Sequence, residues 1–464
     1  LDKNTGGSTF AAMNTGIDAI SFDIPKIQLP IKDLAVARNI EPVKLEKGLG
    51  LLNMAMPDVH QDVITFAANA ITKLVQQENL KPTDISRIYV GTESGLDASK
   101  PIASYLLAIL ETLFGEDTLT HCDAVDFTFA CIGAVDAMQN CMDFVRLNPD
   151  KKAIVVSTDI AKYDLNSTGE YTQGAGAVAM LITANPRIIA FKPEVATSAK
   201  GVFDFFKPHR IVSKKALGIT DNAAWQGVLE SEVEIFKEQP VFDGQYSNDC
   251  YVERTVEAYE RYKALTKTEG TLYQNWKAII MHLPYSFQAR RMFPQIFVSD
   301  NAELNAEINP EMEDYGVKLK AFSKSDAYKT FVAEKFAPAE RASSLIGNMY
   351  TGSIFMGFLS TLCDFAEKGI DASNETFGFL AYGSGAKSKV FEGVIQPEWK
   401  EAIKDVNLFE TLAETKAIDI DTYHQLHKKE VKESIVTPAN EWILSGIESE
   451  EINRLGARYY SFVK

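Results

Sequence analysis

Histidine and cysteine are scarce in this 464-residue chain, at six and five residues, and basic side chains are outnumbered, with 47 Lys and Arg against 63 Asp and Glu. Each shortage excludes something. The cysteines, at 122, 131, 141, 250 and 363, are odd in number, widely spread and without a C-x-x-C pair, which argues against a disulfide scaffold or a cysteine zinc site. A net charge of −16 argues against non-specific nucleic-acid binding, which needs basic surface to displace counterions from phosphates. No uninterrupted run of about 18 apolar residues is present, so no membrane span is expected. Residues 1–12, LDKNTGGSTFAA, lack the apolar stretch of a signal peptide and read as a flexible tail or remnant before a native start near Met13. A reducing cytoplasm is the expected compartment.

What the chain does have is apolar residues, 46% of the total, with 28 Gly and 17 Pro as punctuation. Strand-like, β-branched runs alternate with helical patterns, which predicts an α/β fold. RIYVGTES at 87–94 reads as strand then loop, followed by a helix over ASKPIASYLLAILETLF. DFTFA at 126–130 reads as a short strand or its end. Ile132, Val135, Met138, Met142 and Val145 then recur with helical spacing. KKAIVVSTDIAKY at 151–163 and GAGAVAMLI at 174–182 read as strands.

The same order of parts returns later. KAIIMHLPYS at 277–286 is strand then loop, leading into FQARRMFPQIF. SSLIGNMYTGSIFMGFLSTLCDFA at 343–366 is turn then apolar helix, and TFGFLAYGSGAKSKVFEG at 376–393 is strand, glycine turn, strand. The repeat divides the chain into halves at 13–185 and 186–464. Between the repeated parts, residues 195–275 are more polar and irregular, with an excursion near 211–238 that holds a short amphipathic helix around Trp225 to Phe236. The tail beyond about 400 reads as charged, helical and solvated.

In this alignment Glu93 falls opposite His282, and Cys131 opposite the Gly347-Asn348 turn. Open α/β sheets place ligand chemistry at such carboxyl ends of strands. Cys131 lies at a strand-to-helix turn, where the positive end of the helix is expected to lower the thiol pKa. Three other motifs carry less. GAGAVA at 174–179 has the spacing of a dinucleotide fingerprint but leads into a strand, so no dinucleotide site is expected. His424 and His427 form an H-x-x-H without further ligands and read as an exposed helical pair rather than a metal site. Gly383-Ser384-Gly385 lacks the G-x-S-x-G of a serine hydrolase and reads as a tight turn presenting backbone N–H groups.

Taken together, GTESGLDASK, FACIGA, MHLPYS, GNMYTGS and AYGSG, with GIDAISFDIP, QDVITFAANA, STDIAKY, TQGAGAVAML and FDFFKP, resemble the hydroxymethylglutaryl-CoA synthase family of thiolase-like condensing enzymes, from about Gly16 to the end. The resemblance implies a thiolase-like fold of two similar βαβαβ-type halves in α-β-α-β-α layers, and a homodimer. It implies condensation of acetyl-CoA with acetoacetyl-CoA and water to 3-hydroxy-3-methylglutaryl-CoA and CoA, the step that serves the mevalonate route to isoprenoid precursors. It matches Cys131 to the nucleophile, Glu93 to the acid/base and His282 to the acetoacetyl-binding histidine. Asn348, Tyr350, Gly383 and Ser384 are implied as substrate contacts. No metal or cofactor is implied, the CoA thioesters being substrates. The family pattern has Lys where this chain has Phe287; Arg290, Arg291 and Lys207 are the basic residues expected to meet the coenzyme. Two alternatives accompany this reading: a β-branching synthase that takes its β-ketoacyl acceptor on an acyl carrier protein, and a catalytically silent thiolase-fold scaffold.

Overall fold

Strand residues of this chain are apolar on both faces, and that pattern dictates a sheet covered on both sides. The computed structural model describes residues 14–219, 228 and 230–464. Its main sheet has nine strands: β1 (Thr15–Asp23), β2 (Ile85–Gly91), β3 (Asp123–Phe127), β4 (Lys152–Ala161), β5 (Gly174–Ala184), β6 (Ile189–Ala199), β7 (Ala278–Met281), β8 (Thr376–Gly383) and β9 (Lys387–Ile395). Their spatial order is β7-β8-β9-β6-β1-β5-β4-β2-β3. In each half the first strand pairs antiparallel with the last, the last pairs antiparallel with its predecessor, and the remaining contacts are parallel. Among the described residues, the second half has no counterpart of β3. The halves join where Thr15 to Ile17 of β1 pair with Phe191 to Ile189 of β6.

Alternate residues along these strands face different helices. Ile154 and Val156 of β4, with Ala177, Ala179 and Leu181 of β5, pack on α1 (Val63–Gln77) and α2 (Ile102–Phe114). Val155, Val178 and Met180 turn the other way, onto α3 (Gly133–Leu147), which is packed with α7 (Ser353–Glu367). In the second half, Ile280, Phe377 and Phe379 face this central helix layer. Ile279, Met281 and Leu380 face α4 (Gly244–Thr266) and α5 (Gln288–Ser299). The result is the layered α-β-α-β-α arrangement expected. Between α5 and α7, α6 (Ala337–Ile346) leads into the Asn348 turn.

Three expectations need correction. Helices fill only the first part of the tail, including α8 (Ile420–His427); β10 (Glu441–Ile447) and β11 (Arg458–Val463) then form an antiparallel hairpin. This tail is packed rather than solvated: Trp399 and Tyr423 are fully buried, and Trp442 enters the core beside α1, its indole N–H donating to Thr72 Oγ1 at 3.1 Å. A few large aromatics anchor a segment whose charges mask them in a composition-based reading. In the excursion, Glu232–Ile235 is a strand paired with Arg210–Ser213, not helix; residues 225–227 and 229 of the expected helix lie outside the described residues. The polar interval also contains the 23-residue α4, whose buried Tyr251, Ala258, Tyr259 and Tyr262 form a narrow stripe among many charges.

Among the described residues, no helix is long and apolar enough to cross a membrane, and no cluster of three or more His, Cys, Asp or Glu side chains is placed to hold a metal ion.

Gly91 ends β2 directly against the first turn of α3, where a β-carbon would lie 2.2 Å from the Ala134 backbone N and Cα. Backbone cannot yield as a side chain can, so Gly91→Ala is expected to destabilise the protein by at least the ~1–3 kcal/mol typical of overpacking. The denaturant midpoint measures this; an unchanged midpoint would show that α3 does not depend on that approach.

Candidate active site

Cys131 sits between the end of β3 and the start of α3. Ala130, just before it, has φ +41, a left-handed conformation that non-glycine residues rarely adopt and that costs about 1–3 kcal/mol. This kink carries the thiol out of the strand direction and toward the loop after β2. There Cys131 Sγ donates to Glu93 Oε1 at 2.9 Å.

Glu93 is held in place from below. Asp159, fully buried on β4, accepts from the Glu93 backbone N–H at 2.9 Å, from Ser94 Oγ at 2.8 Å and from Thr92 Oγ1 at 3.1 Å. The same carboxylate accepts from the Thr351 N–H at 3.0 Å, which brings in the second half. Lys207 lies against the other side of Glu93, with Nζ 3.7 Å from Oε2, 3.1 Å from the Glu93 carbonyl and 4.4 Å above the Tyr350 ring.

Burial dominates the electrostatics of this pair. It pushes the Glu93 carboxyl up to about 7, against the lowering pull of Lys207. The Cys131 thiol is raised well above its ordinary value, by burial first and then by the Glu93 charge. That is opposite to the lowered pKa expected from the helix terminus: the adjacent carboxylate and the loss of water outweigh the helix dipole. Asp159 is raised by burial as well, against its hydrogen bonds.

From the second half, His282 follows β7, its main-chain carbonyl accepting from Tyr251 Oη at 2.6 Å. Burial lowers its imidazole to about 3, so the ring is neutral at ordinary pH. Its Nδ1 is buried and, among the described residues, without a hydrogen-bond partner. Asn348 Oδ1 accepts from the Tyr350 N–H at 2.8 Å and from Ser353 Oγ at 3.1 Å. Gly383 brings the end of β8 onto the cysteine turn, where a β-carbon would lie 2.6 Å from the Phe129 carbonyl and 2.9 Å from the Ile132 N. In the turn that follows, the Gly385 N–H donates to Asp204 at 2.6 Å and the Ala386 N–H to the Lys200 carbonyl at 2.6 Å. The Ser384 N–H is therefore the turn's candidate donor to a ligand.

Cys131, His282, Asn348, Tyr350 and Ser384 all line one cavity of about 510 Å³, whose mouth is formed by loop 163–172, the start of α4 and α5. Its floor around Cys131 is aromatic, built from Tyr163, Tyr350, Phe205 and Phe242. Of the basic residues, exposed Arg291 borders the cavity. Arg290 is turned away, its guanidinium held by the buried Glu340 and stacked 3.7 Å from the Phe287 ring. Phe287 itself packs on Gly50, and its N–H donates to the Leu49 carbonyl. Lys207 is directed inward to Glu93 rather than to the mouth.

Sequence reasoning missed Asp159, Asp204 and Tyr251. Asp159 left a signal: an Asp inside the apolar strand KAIVVSTDIA must be hydrogen-bonded when buried, which marks it as an organising residue. Asp204 lies within FDFFKP, and only the fold reveals that it joins Tyr382 Oη to the Ser384 turn.

Comparison with known proteins identifies the family. The family profile described as hydroxymethylglutaryl-coenzyme A synthase N terminal matches residues 11–187, and the corresponding C-terminal profile matches 232–441. A hydroxymethylglutaryl-CoA synthase of Enterococcus faecalis is 32% identical over 382 residues, spanning 82% of this chain and 83% of the relative. One from Haloferax volcanii is 28% identical over 97% of this chain and 100% of its own length. The solved structure of MvaS in complex with 3-hydroxy-3-methylglutaryl coenzyme A superimposes with a TM-score of 0.79 at 27% identity, covering 97% of this chain and 100% of that one. The chain belongs to the hydroxymethylglutaryl-coenzyme A synthase family.

Proposed function

We propose that this cavity condenses acetyl-CoA with acetoacetyl-CoA and water, giving 3-hydroxy-3-methylglutaryl-CoA and CoA through an acetyl thioester on Cys131. The observation that carries the reading is the 2.9 Å contact of Cys131 Sγ with Glu93, with Cys131 and His282 lining one cavity.

In the first step the Cys131 sulfur attacks the thioester carbonyl. The thiol proton passes to Glu93 and on to the departing CoA sulfur, so a protonated thiol becomes a nucleophile only when the carboxylate accepts its proton. The new thioester keeps the acetyl methyl hydrogens acidic. Glu93 then removes one of them, and the enolate carbon forms a bond to the ketone carbon of acetoacetyl-CoA. The ketone oxygen, held by neutral His282, receives the proton from Glu93. Water finally cleaves the Cys131 thioester, releasing the product carboxylate and restoring the thiol. Backbone N–H groups of Cys131 and Ser384 are suited to the oxyanions of these steps, where one well-aimed donor typically contributes about 3–4 kcal/mol. Arg291 at the mouth is suited to the coenzyme phosphates. The names of the relatives support CoA thioesters as the substrates, and the intact Cys131, Glu93 and His282 set argues against a silent scaffold.

The homodimer has support in β3, an open sheet edge carrying Val125 at 38% exposure, with Leu147 at the end of α3 at 83%. An unpaired edge of this kind is a template for a second strand. Five free cysteines fit a cytoplasmic location.

Product formation from the two CoA thioesters, followed by mass spectrometry, tests the reading. Cys131→Ala is expected to make no product while folding normally; product from that variant would remove Cys131 from the chemistry. Glu93→Gln is expected to lower kcat by about 10²–10⁴.

Glu93 also sets a pH dependence. The base must be ionised, so kcat/KM is expected to rise with pH through about 7 and then level off. Stability runs the other way. A carboxyl raised by folding contributes fully at pH below its unfolded value and loses that contribution as pH rises through about 7. Melting curves of wild type and Glu93→Gln should therefore separate in favour of the variant above neutrality; parallel curves would show that Glu93 is not buried as described.

A further inference from the structure

The H-x-x-H on α8 has a place in this site that neither its spacing nor the condensation mechanism explains. Apart from one 3₁₀ turn at Glu170–Thr172, residues 162–173 join β4 to β5 without regular structure, yet Tyr163, Thr168, Gly169, Tyr171 and Thr172 all line the cavity. A loop of this kind needs outside partners to hold one shape.

Three of the bonds that hold this loop come from α8, some 250 residues away in sequence. His427 Nε2 donates to the Tyr163 carbonyl at 2.7 Å. The Tyr423 hydroxyl, fully buried, donates to Glu170 Oε1 at 2.9 Å and accepts from Gln173 Nε2 at 2.8 Å. Gln173 Oε1 in turn accepts from the Tyr163 N–H at 2.8 Å. Tyr163 is thereby held on both sides of its backbone. Glu170 is closed off by a two-pronged pair with Arg38, at 2.6 and 2.7 Å, and the Arg38 guanidinium donates to His424 Nε2 at 2.9 Å. The two histidines are thus half-buried parts of a network and not an exposed pair.

What this network positions is the wall beside the nucleophile. The Tyr163 ring lies directly on Gly169, where a β-carbon would be 2.2 Å from Cδ1, and edge-on to Phe242 at 5.4 Å. It belongs to the same buried cluster as Cys131 and Tyr350. The adjoining Thr172 carbonyl accepts the Asn348 N–H at 2.9 Å, so the second half's turn rests on the same loop.

We propose that Tyr423 and His427 are positioning residues that fix the Tyr163 wall of the acyl chamber, and so limit the size of the acyl group that Cys131 accepts. The inference rests on Cys131 as the acylated residue. Excluding one added methylene from a packed pocket is worth roughly 10–200-fold in rate, and that discrimination is lost when the wall can move outward.

The test compares the full chain with Tyr423→Phe, His427→Leu and His427→Gln, the last of which keeps an N–H able to reach the Tyr163 carbonyl. Acetyl and propionyl transfer from their CoA thioesters onto Cys131 are followed by peptide mass, and backbone amide exchange is followed across residues 163–173. Tyr423→Phe and His427→Leu should raise the propionyl-to-acetyl ratio about ten-fold and speed exchange in that loop, with His427→Gln near wild type. An unchanged ratio, or equal loss of both acyl groups, overturns the proposal. Wild-type protein acylated elsewhere than Cys131 would instead overturn the nucleophile assignment. The exchange arm still decides whether α8 holds the loop, and unaltered exchange sinks that claim.

Discussion

A thiol and a carboxylate face each other at 2.9 Å, both side chains largely buried, and the rest of the structure is arranged to keep them there. Neither group would choose that setting alone. Burial drives the carboxyl toward its neutral form, the carboxylate in turn holds the thiol protonated, and Lys207 only partly offsets the cost. With both groups raised in this way the proton rests on the sulfur, and the carboxylate beside it is the group placed to take it. The site therefore does not store a ready thiolate. In the proposed reaction it makes one when an electrophile arrives.

Keeping that contact requires both halves of the chain. The strand ends of the first half deliver Glu93 and Cys131, and those of the second deliver His282 and the Ser384 turn. Asp159 ties the Glu93 loop to Thr351, and Gly383 rests on the backbone around Cys131. The central helices α3 and α7 pack together between the two strand sets and give them a shared reference. A cavity formed this way has its reactive groups on rigid strand ends, while its mouth is left to loops and to the ends of α4 and α5.

Much of this was legible in the sequence because strands and helices here announce themselves through apolar periodicity. The β2, β4, β5, β7, β8 and β9 segments, the turn before α3 and the apolar α7 all follow from spacing, and the repeated order of parts anticipates the two halves. Other features could not be read that way. The tail hairpin is carried by a few buried aromatics, such as Trp442, in a charged background. The role of Tyr423 and His427 depends on a loop far away in sequence. The direction of the Cys131 shift depends on Glu93 lying against it, which the helix-terminus argument alone does not contain. Local chemistry was visible where one segment carried it and invisible where two distant segments shared it.

The most direct test of this account is the ultraviolet titration of the Cys131 thiolate in the resting protein, taken as wild type minus Cys131→Ala. The account predicts no thiolate band at neutral pH and its appearance only well above the ordinary thiol range, with a shift to lower pH in Glu93→Gln as the neighbouring charge is removed. A full thiolate band at neutral pH would contradict it, and would mean that the helix terminus, not the buried carboxylate, governs the nucleophile.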